Sequence, residues 1–241
     1  WIRQVDVRGP AHAEWFGARG NDSNYDDAPG IRACLLKCGR VDLLAKAYYL
    51  RSAEAAAQVA IGLFANNLVV SGQGIDKTTI RYRTLNPLSP SGPNFRAFSS
   101  AGGLQNIVVR DLTIDCGFNE SVNALGQTGT RTRSAIHLYG QNHLGERVKA
   151  INFGVGYDSG HTGADKPGEC FVIYLCMDSA AGQNGTIQDC VLTEPGTHTA
   201  ASLPPSNYPM PEITGLQITG TDATKIGTGG RIVRNRIVGI V

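Results

Sequence analysis

The sequence predicts an all-β chain: a right-handed, single-stranded parallel β-helix with three short strands per coil and a capping helix at its N-terminal end. Two ladders of repeated segments and one helix ahead of them carry this expectation. The first ladder is Val109-Arg110-Asp111-Leu112-Thr113-Ile114, Val148-Lys149-Ala150-Ile151-Asn152-Phe153, Ile187-Gln188-Asp189-Cys190-Val191-Leu192 and Val233-Arg234-Asn235-Arg236-Ile237-Val238, with steps of 39, 39 and 46 residues. Periodicity of this length marks a solenoid, in which one coil cannot bury its apolar face but a pile of coils makes a continuous core. The spacing predicts that Leu112, Ile151 and Cys190 share one inward stack, with Asp111, Ala150 and Asp189 at the bend before it. Cys190 then serves as a small apolar filler.

The second ladder is Ser134-Ala135-Ile136-His137-Leu138-Tyr139-Gly140, Cys170-Phe171-Val172-Ile173-Tyr174-Leu175-Cys176 and Ile213-Thr214-Gly215-Leu216-Gln217-Ile218-Thr219. Aligning Ile136, Ile173 and Leu216 also aligns Leu138, Leu175 and Ile218, so the same faces repeat at the strand period of two.

Taken in order, residues 1–14 read as an irregular lead-in, followed by Trp15-Phe16-Gly17-Ala18-Arg19-Gly20 and an Asp/Asn-rich turn. A helix follows from about Pro29 to Lys37, with Ile31, Cys34, Leu35 and Cys38 on one face, Asp26 or Asp27 as its cap and Gly39 as its stop. Such a helix covers the open end of a β-helix and blocks edge pairing there. The whole chain, 1–241, reads as one domain: lead-in and cap over 1–40 and coils over 41–241. The apolar ending Ile237-Val238-Gly239-Ile240-Val241 reads as an unfinished solenoid, to be covered by further coils or by another subunit.

Composition narrows the classes of partner. A net charge of +2 with 17% charged residues gives no strong field, and no basic run is interleaved with aromatics, so nucleic acid is not an expected partner. No apolar run reaches the roughly 20 residues needed to span a bilayer, so membrane insertion is not expected. The chain does not begin with Met, which fits a removed export signal or a fragment boundary. Its six cysteines lack paired zinc-site spacings, no metal site is expected, and most read as packing residues.

The order aromatic-Phe-Gly-Ala-basic-Gly, a polar turn ending in Asp26-Asp27, a helix, and a strand ending Tyr49-Leu50-Arg51-Ser52 resembles the N-terminal cap and first coil of the pectate lyase-like superfamily. Within it, the chain looks most like the branch of glycoside hydrolase family 28-related proteins and phage tailspikes. The Gly72-Gln73-Gly74 turn and the strand Thr78 to Tyr82 extend the resemblance. Leu44-Ala45-Lys46-Ala47 stands where that family usually has a Pro and a Gly. The resemblance implies a β-helix and a choice among lyases, hydrolases, epimerases, binders and structural spikes.

With Ile136 and Leu138 inward, His137 and Tyr139 point outward, the next coil sets Tyr174 beside His137, and the one after adds Gln217. Connections at 117–133, 154–169 and 193–212 recur on one side of the coil and flank this row, as binding walls do on solenoids. Aromatics beside hydrogen-bonding groups suit sugar rings; the same tyrosines equally suit a face covered by its own loops. The expected substrate-binding set is His137, Tyr139, Tyr174, Gln217, Arg131 and Arg133. Acid–base chemistry on a polysaccharide needs facing carboxylates about 5–9 Å apart, and the candidates are Asp178, Asp165 and Glu169, with His161 in the same loop. Asp111, Asp189 and Asn235 read instead as a ladder of turn formers. Asp22-x-Asn24-x-Asp26 lacks the Gly and Glu that complete a calcium loop and reads as capping.

The expected function is that of an extracellular or cell-surface protein that cleaves a polysaccharide by hydrolysis or β-elimination. No cofactor is expected, except Ca2+ if it is a lyase. The alternative is a non-catalytic β-helix, an adhesin, spike or filament subunit, and a homo-oligomer fits either.

Overall fold

A computed structural model describes residues 9–51, 59–82, 95–121, 131–156, 169–177, 184–197, 212–220 and 229–238. A 3-10 turn over Ala13–Phe16 leads into helix α1, Ala28–Cys38. Pro29 sits in its first turn and Gly39 ends it in the left-handed conformation. The capping differs from expectation in one detail. Asp27 is the N-cap residue, yet its buried carboxylate accepts from the backbone of Arg19, Gly20 and Tyr49, and the Ala28 amide is met by Asp26. Asp27 thus ties lead-in, helix and first coil together.

Six coils follow. The first holds β1 (Arg40–Asp42), β2 (Ala47–Leu50) and β3 (Val59–Leu63); the second β4 (Val69–Ser71), β5 (Thr79–Tyr82) and β6 (Phe95–Ser100). The third holds β7 (Leu104–Gln105), β8 (Val108–Asp115), the short helix α2 (Phe118–Ser121) and β9 (Arg131–Gln141); the fourth β10 (Leu144–Ile151), β11 (Gly154–Gly156) and β12 (Glu169–Met177). The fifth holds β13 (Thr186–Gln188), β14 (Val191–Leu192) and β15 (Glu212–Gly220), and the sixth β16 (Arg231–Val233) and β17 (Arg236–Ile237).

The strands stack in three parallel rows, which makes the fold an all-β parallel β-helix. The first row runs β1-β4-β8-β10-β13-β16, and the second joins β2, β5, the later halves of β8 and β10, β14 and β17. The third runs β3-β6-β9-β12-β15. Inward columns such as Val41, Val70, Val109 and Ile187 are fully buried, as are Tyr48, Ile80, Ile114, Ala150 and Leu192. In the sixth coil the same columns end in Ile232 and Ile237, each 49% exposed. The core face of that coil is open among the described residues; Ile240 and Val241 lie outside them.

The second ladder of the sequence falls as expected: Ile136, Ile173 and Leu216 are partners, as are Leu138, Leu175 and Ile218. The first needs correction. Val148 pairs with Leu112, and Ile151 pairs with Asp115, so the inward stack is Leu112, Val148 and Cys190. The bend before it holds Asp111, Arg147, Asp189 and Arg234, all at positive φ, and Ala150 lies inside the next row. The coils differ in length: from Asn106 to Asn142 is 36 residues and from Asn142 to Asn184 is 42, so a fixed step of 39 slips by three residues in the fourth coil and recovers in the fifth.

A second corner, before the first row, carries Asn67, Asn106, Asn142 and Asn184, each in the left-handed conformation that Asn tolerates best after Gly. Asn106 Nδ2 donates to Asn67 Oδ1 at 2.7 Å and Asn184 Nδ2 to Asn142 Oδ1 at 3.3 Å. Among the described residues no helix is long and apolar enough to cross a membrane.

Candidate functional site

The outward positions of the third row bring together the residues that the sequence nominates. Ser99, His137, Tyr174 and Gln217 are successive partners across four coils, with Tyr139, Cys176 and Thr219 beside them. The Tyr174 ring lies 5.3 Å from that of His137, 5.8 Å edge-on to Tyr139 and 5.2 Å stacked on Phe171. Phe171, Tyr139 and Tyr174 are half-buried, so this four-ring cluster keeps a partly open aromatic face. Phe171 is the member that sequence reasoning missed. Its place three residues before Tyr174 breaks strict alternation, and the ladder between β12 and β9 begins only at Ile173.

The row is less open than the sequence implies. His137 is 3% exposed, and its Nε2 lies 2.7 Å from the Phe171 carbonyl. Burial, with the charge of Arg96 adding to it, pushes its pKa down to about 3, so the ring is neutral. Burial also raises the Tyr174 phenol, helped by its bond to Cys176. Arg133, expected to bind sugar, is also 3% exposed and holds its guanidinium 5.3 Å over the Tyr82 ring, which turns it away from a polymer at the surface.

The remaining candidates are placed only in part. Arg131 is the first residue of β9 and Glu169 the first of β12, opposite Glu212. Asp178, Asp165 and His161 lie outside the described residues.

The bases of the long connections are tied to one another beside this row. The amide of Phe118 donates to Asn152 O, that of Asn119 to Asn152 Oδ1, and that of Thr197 to Asn119 Oδ1. Phe118 is wedged so tightly that a Cβ on Gly196 would stand 2.2 Å from its ring. Strand β11 then runs antiparallel to the start of β9, Gly154 opposite Arg133, and carries its connection toward the third row.

Several other charged groups are committed to the fold. Arg147 and Asp111 pair through two bonds, as do Arg234 and Asp189, and the Arg234 guanidinium holds the Asp189 carboxyl below the usual range. Asp22 accepts from the Asn24 amide and Asp26 from those of Ala28 and Arg51, which commits the calcium-like motif to turns. Among the described residues no three His, Cys, Asp or Glu side chains stand together as metal ligands would. All six cysteines are free and five are buried; burial lifts Cys34 and Cys170 to about 12 and Cys190 to about 11, far from reactive thiolates. A cavity of about 360 Å³ lies between α1 and the turn after β3, lined by Leu35, Leu36, Phe64, Leu68 and Arg32. The Arg32 guanidinium is committed to the Ala60 carbonyl.

No family model matches the chain, and no curated protein matches it. Among solved structures it is similar to the A-module of the Azotobacter vinelandii mannuronan C-5 epimerase AlgE4, at 19% identity and a TM-score of 0.47 over 93% of this chain and 50% of that one. The chain thus spans half the length of that structure.

Proposed function

We propose that this β-helix is an extracellular or cell-surface protein that holds a polysaccharide along the outward face of its third row. The supporting observation is the cluster of Phe171, Tyr174 and Tyr139, three partly exposed rings on one flat parallel sheet, with Gln217 and Thr219 continuing the row. Sugar rings stack their apolar faces on such aromatics while their hydroxyls need donors and acceptors. The polymer lies along the solenoid axis, because the row does.

Cleavage of that polymer, by hydrolysis or β-elimination, falls to Asp178, Asp165, Glu169 and His161, whose segments join the ends of β12. Elimination needs a cation to stabilise the enolate formed beside a uronate carboxyl, and there Ca2+ or Arg131 enters. The non-catalytic reading, an adhesin or spike subunit, draws on a different observation: the described outward positions Ser99, His137, Tyr174 and Gln217 carry no carboxylate, and His137 is neutral.

The deciding experiment is a screen of neutral and uronate polysaccharides, read at once for binding, for new reducing ends and for the absorbance of unsaturated products. Reducing ends alone mean hydrolysis, both signals mean elimination, and binding without product means the non-catalytic form. A protein that binds none of the polysaccharides overturns the proposal.

A further inference from the structure

Two hydrogen-bond acceptors in the third row are buried and have no donor among the described residues, and they flank the ring that the proposed function makes its sugar platform. The Phe171 carbonyl can only accept, so His137 Nε2 carries the ring proton and Nδ1 presents a lone pair. That Nδ1 is buried and unpartnered, in a ring that is itself 3% exposed. Gln217 Oε1 is likewise buried and unpartnered. The register sets Tyr174 between them, His137 one strand before it and Gln217 one strand after. Acceptors left dry in this way are costly, and a ligand that brings donors relieves the cost.

We propose that the row reads free hydroxyl groups: one hydroxyl of a polysaccharide donates to His137 Nδ1 and a second, further along the polymer, to Gln217 Oε1. This rests on the polysaccharide reading above and narrows its ligand to glycans unsubstituted at those two hydroxyls. Neighbouring strands stand about 4.7–4.9 Å apart, so strands two apart are spaced by roughly 10 Å along the solenoid axis. A polymer bridges that span and a single sugar does not. The donors are hydroxyls rather than protonated amines, because the positive charge of Arg96 bears on both His137 and Tyr174 and repels an ammonium.

Access runs through Tyr174. Its half-buried ring lies 5.3 Å from that of His137, and its hydroxyl is bonded to the Cys176 thiol, a weak partner, so in this proposal the polymer reaches Nδ1 past the Tyr174 ring, at the cost of part of its contacts with Phe171 and Tyr139.

The test takes a polysaccharide that binds in the screen, in native and O-methylated forms. Binding is followed by calorimetry and by the nitrogen resonances of His137. The native polymer is expected to shift the Nδ1 resonance and to bind about a hundredfold tighter than the methylated one, which forfeits both hydroxyl bonds. His137→Leu and Gln217→Met should each lose about tenfold for the native polymer and bind the methylated polymer as the wild type does. Gln217→Met, on the last described strand of the row, keeps the test open if His137→Leu does not fold. Equal affinity for the two forms with an unmoved Nδ1 resonance overturns this inference and leaves polysaccharide binding standing. Failure of every polysaccharide to bind overturns both.

Discussion

Arg147 reaches back one coil and grips Asp111 with two bonds, Nε to Oδ1 at 2.6 Å and Nη2 to Oδ2 at 3.0 Å, while both residues stand in the left-handed conformation at the same corner. One coil pair further on, Arg234 grips Asp189 in the same way. The corner is thus a ladder of alternating sign rather than a stack of like carboxylates. A double-mutant cycle of Asp111→Asn and Arg147→Gln, followed by urea unfolding, should give a coupling of about 0.5–1 kcal/mol, because the pair is bidentate but substantially solvated. Arg147→Gly should cost less than Arg147→Gln, since Gly relieves the positive φ. A Gly variant less stable than the Gln variant would contradict this.

The corrected register makes a second prediction. Val148 is fully buried in the stack with Leu112 and Cys190, whereas Ile151 is only partly buried opposite Asp115. Val148→Ala should therefore destabilise by about 2 kcal/mol, and the larger truncation Ile151→Ala by less than that. Equal losses would restore the register in which Ile151 occupies the stack.

The coil architecture and the third row were legible because inward Ile and Leu alternate cleanly from Ile136 to Leu138, from Ile173 to Leu175 and from Leu216 to Ile218. The first ladder slips because apolar residues three apart recur in more than one register: Val148-x-x-Ile151 imitates Val109-x-x-Leu112, while the true partner of Val109 is Gly145. The corner asparagines Asn67, Asn106, Asn142 and Asn184 were the better ruler, since a left-handed turn tolerates few residues and so pins the phase. At the site, alternation gave His137 and Tyr174 their side of the sheet, but it could not tell outward from exposed. That difference depends on what packs over the sheet: the Phe171 carbonyl against His137 and the Tyr82 ring against Arg133 join residues far apart in the chain.

The open sixth coil predicts an asymmetry along a single column. Ile187 is fully buried and its partner Ile232 is half-exposed. Ile187→Ala should cost about 2–5 kcal/mol and Ile232→Ala within about 0.5 kcal/mol, measured by denaturant unfolding of the 241-residue chain. A large loss at Ile232 would mean that something covers that face in solution.

His137 gives the fold a pH dependence with a definite sign. Its pKa is 6.5 when unfolded and about 3 when folded, so below 6.5 the unfolded state binds the extra proton. The contribution of the neutral ring is full above 6.5 and is lost progressively as pH falls toward 3. His137→Leu should flatten the fall in unfolding midpoint across that window relative to wild type. Identical pH profiles for the two proteins would show that His137 does not titrate with folding.

The last prediction separates binding from turnover. Tyr174 contacts three other rings and is the central platform of the row, so Tyr174→Ala should weaken polysaccharide binding by about 1 kcal/mol or more, the scale of a lost aromatic contact. Asp178→Asn, in this reading, should leave binding unchanged while abolishing product formation, if the chain cleaves its polymer with that carboxylate. Calorimetry on both variants, paired with the reducing-end assay, reads the two effects independently. A Tyr174→Ala protein that binds as tightly as wild type would remove the aromatic platform from the site.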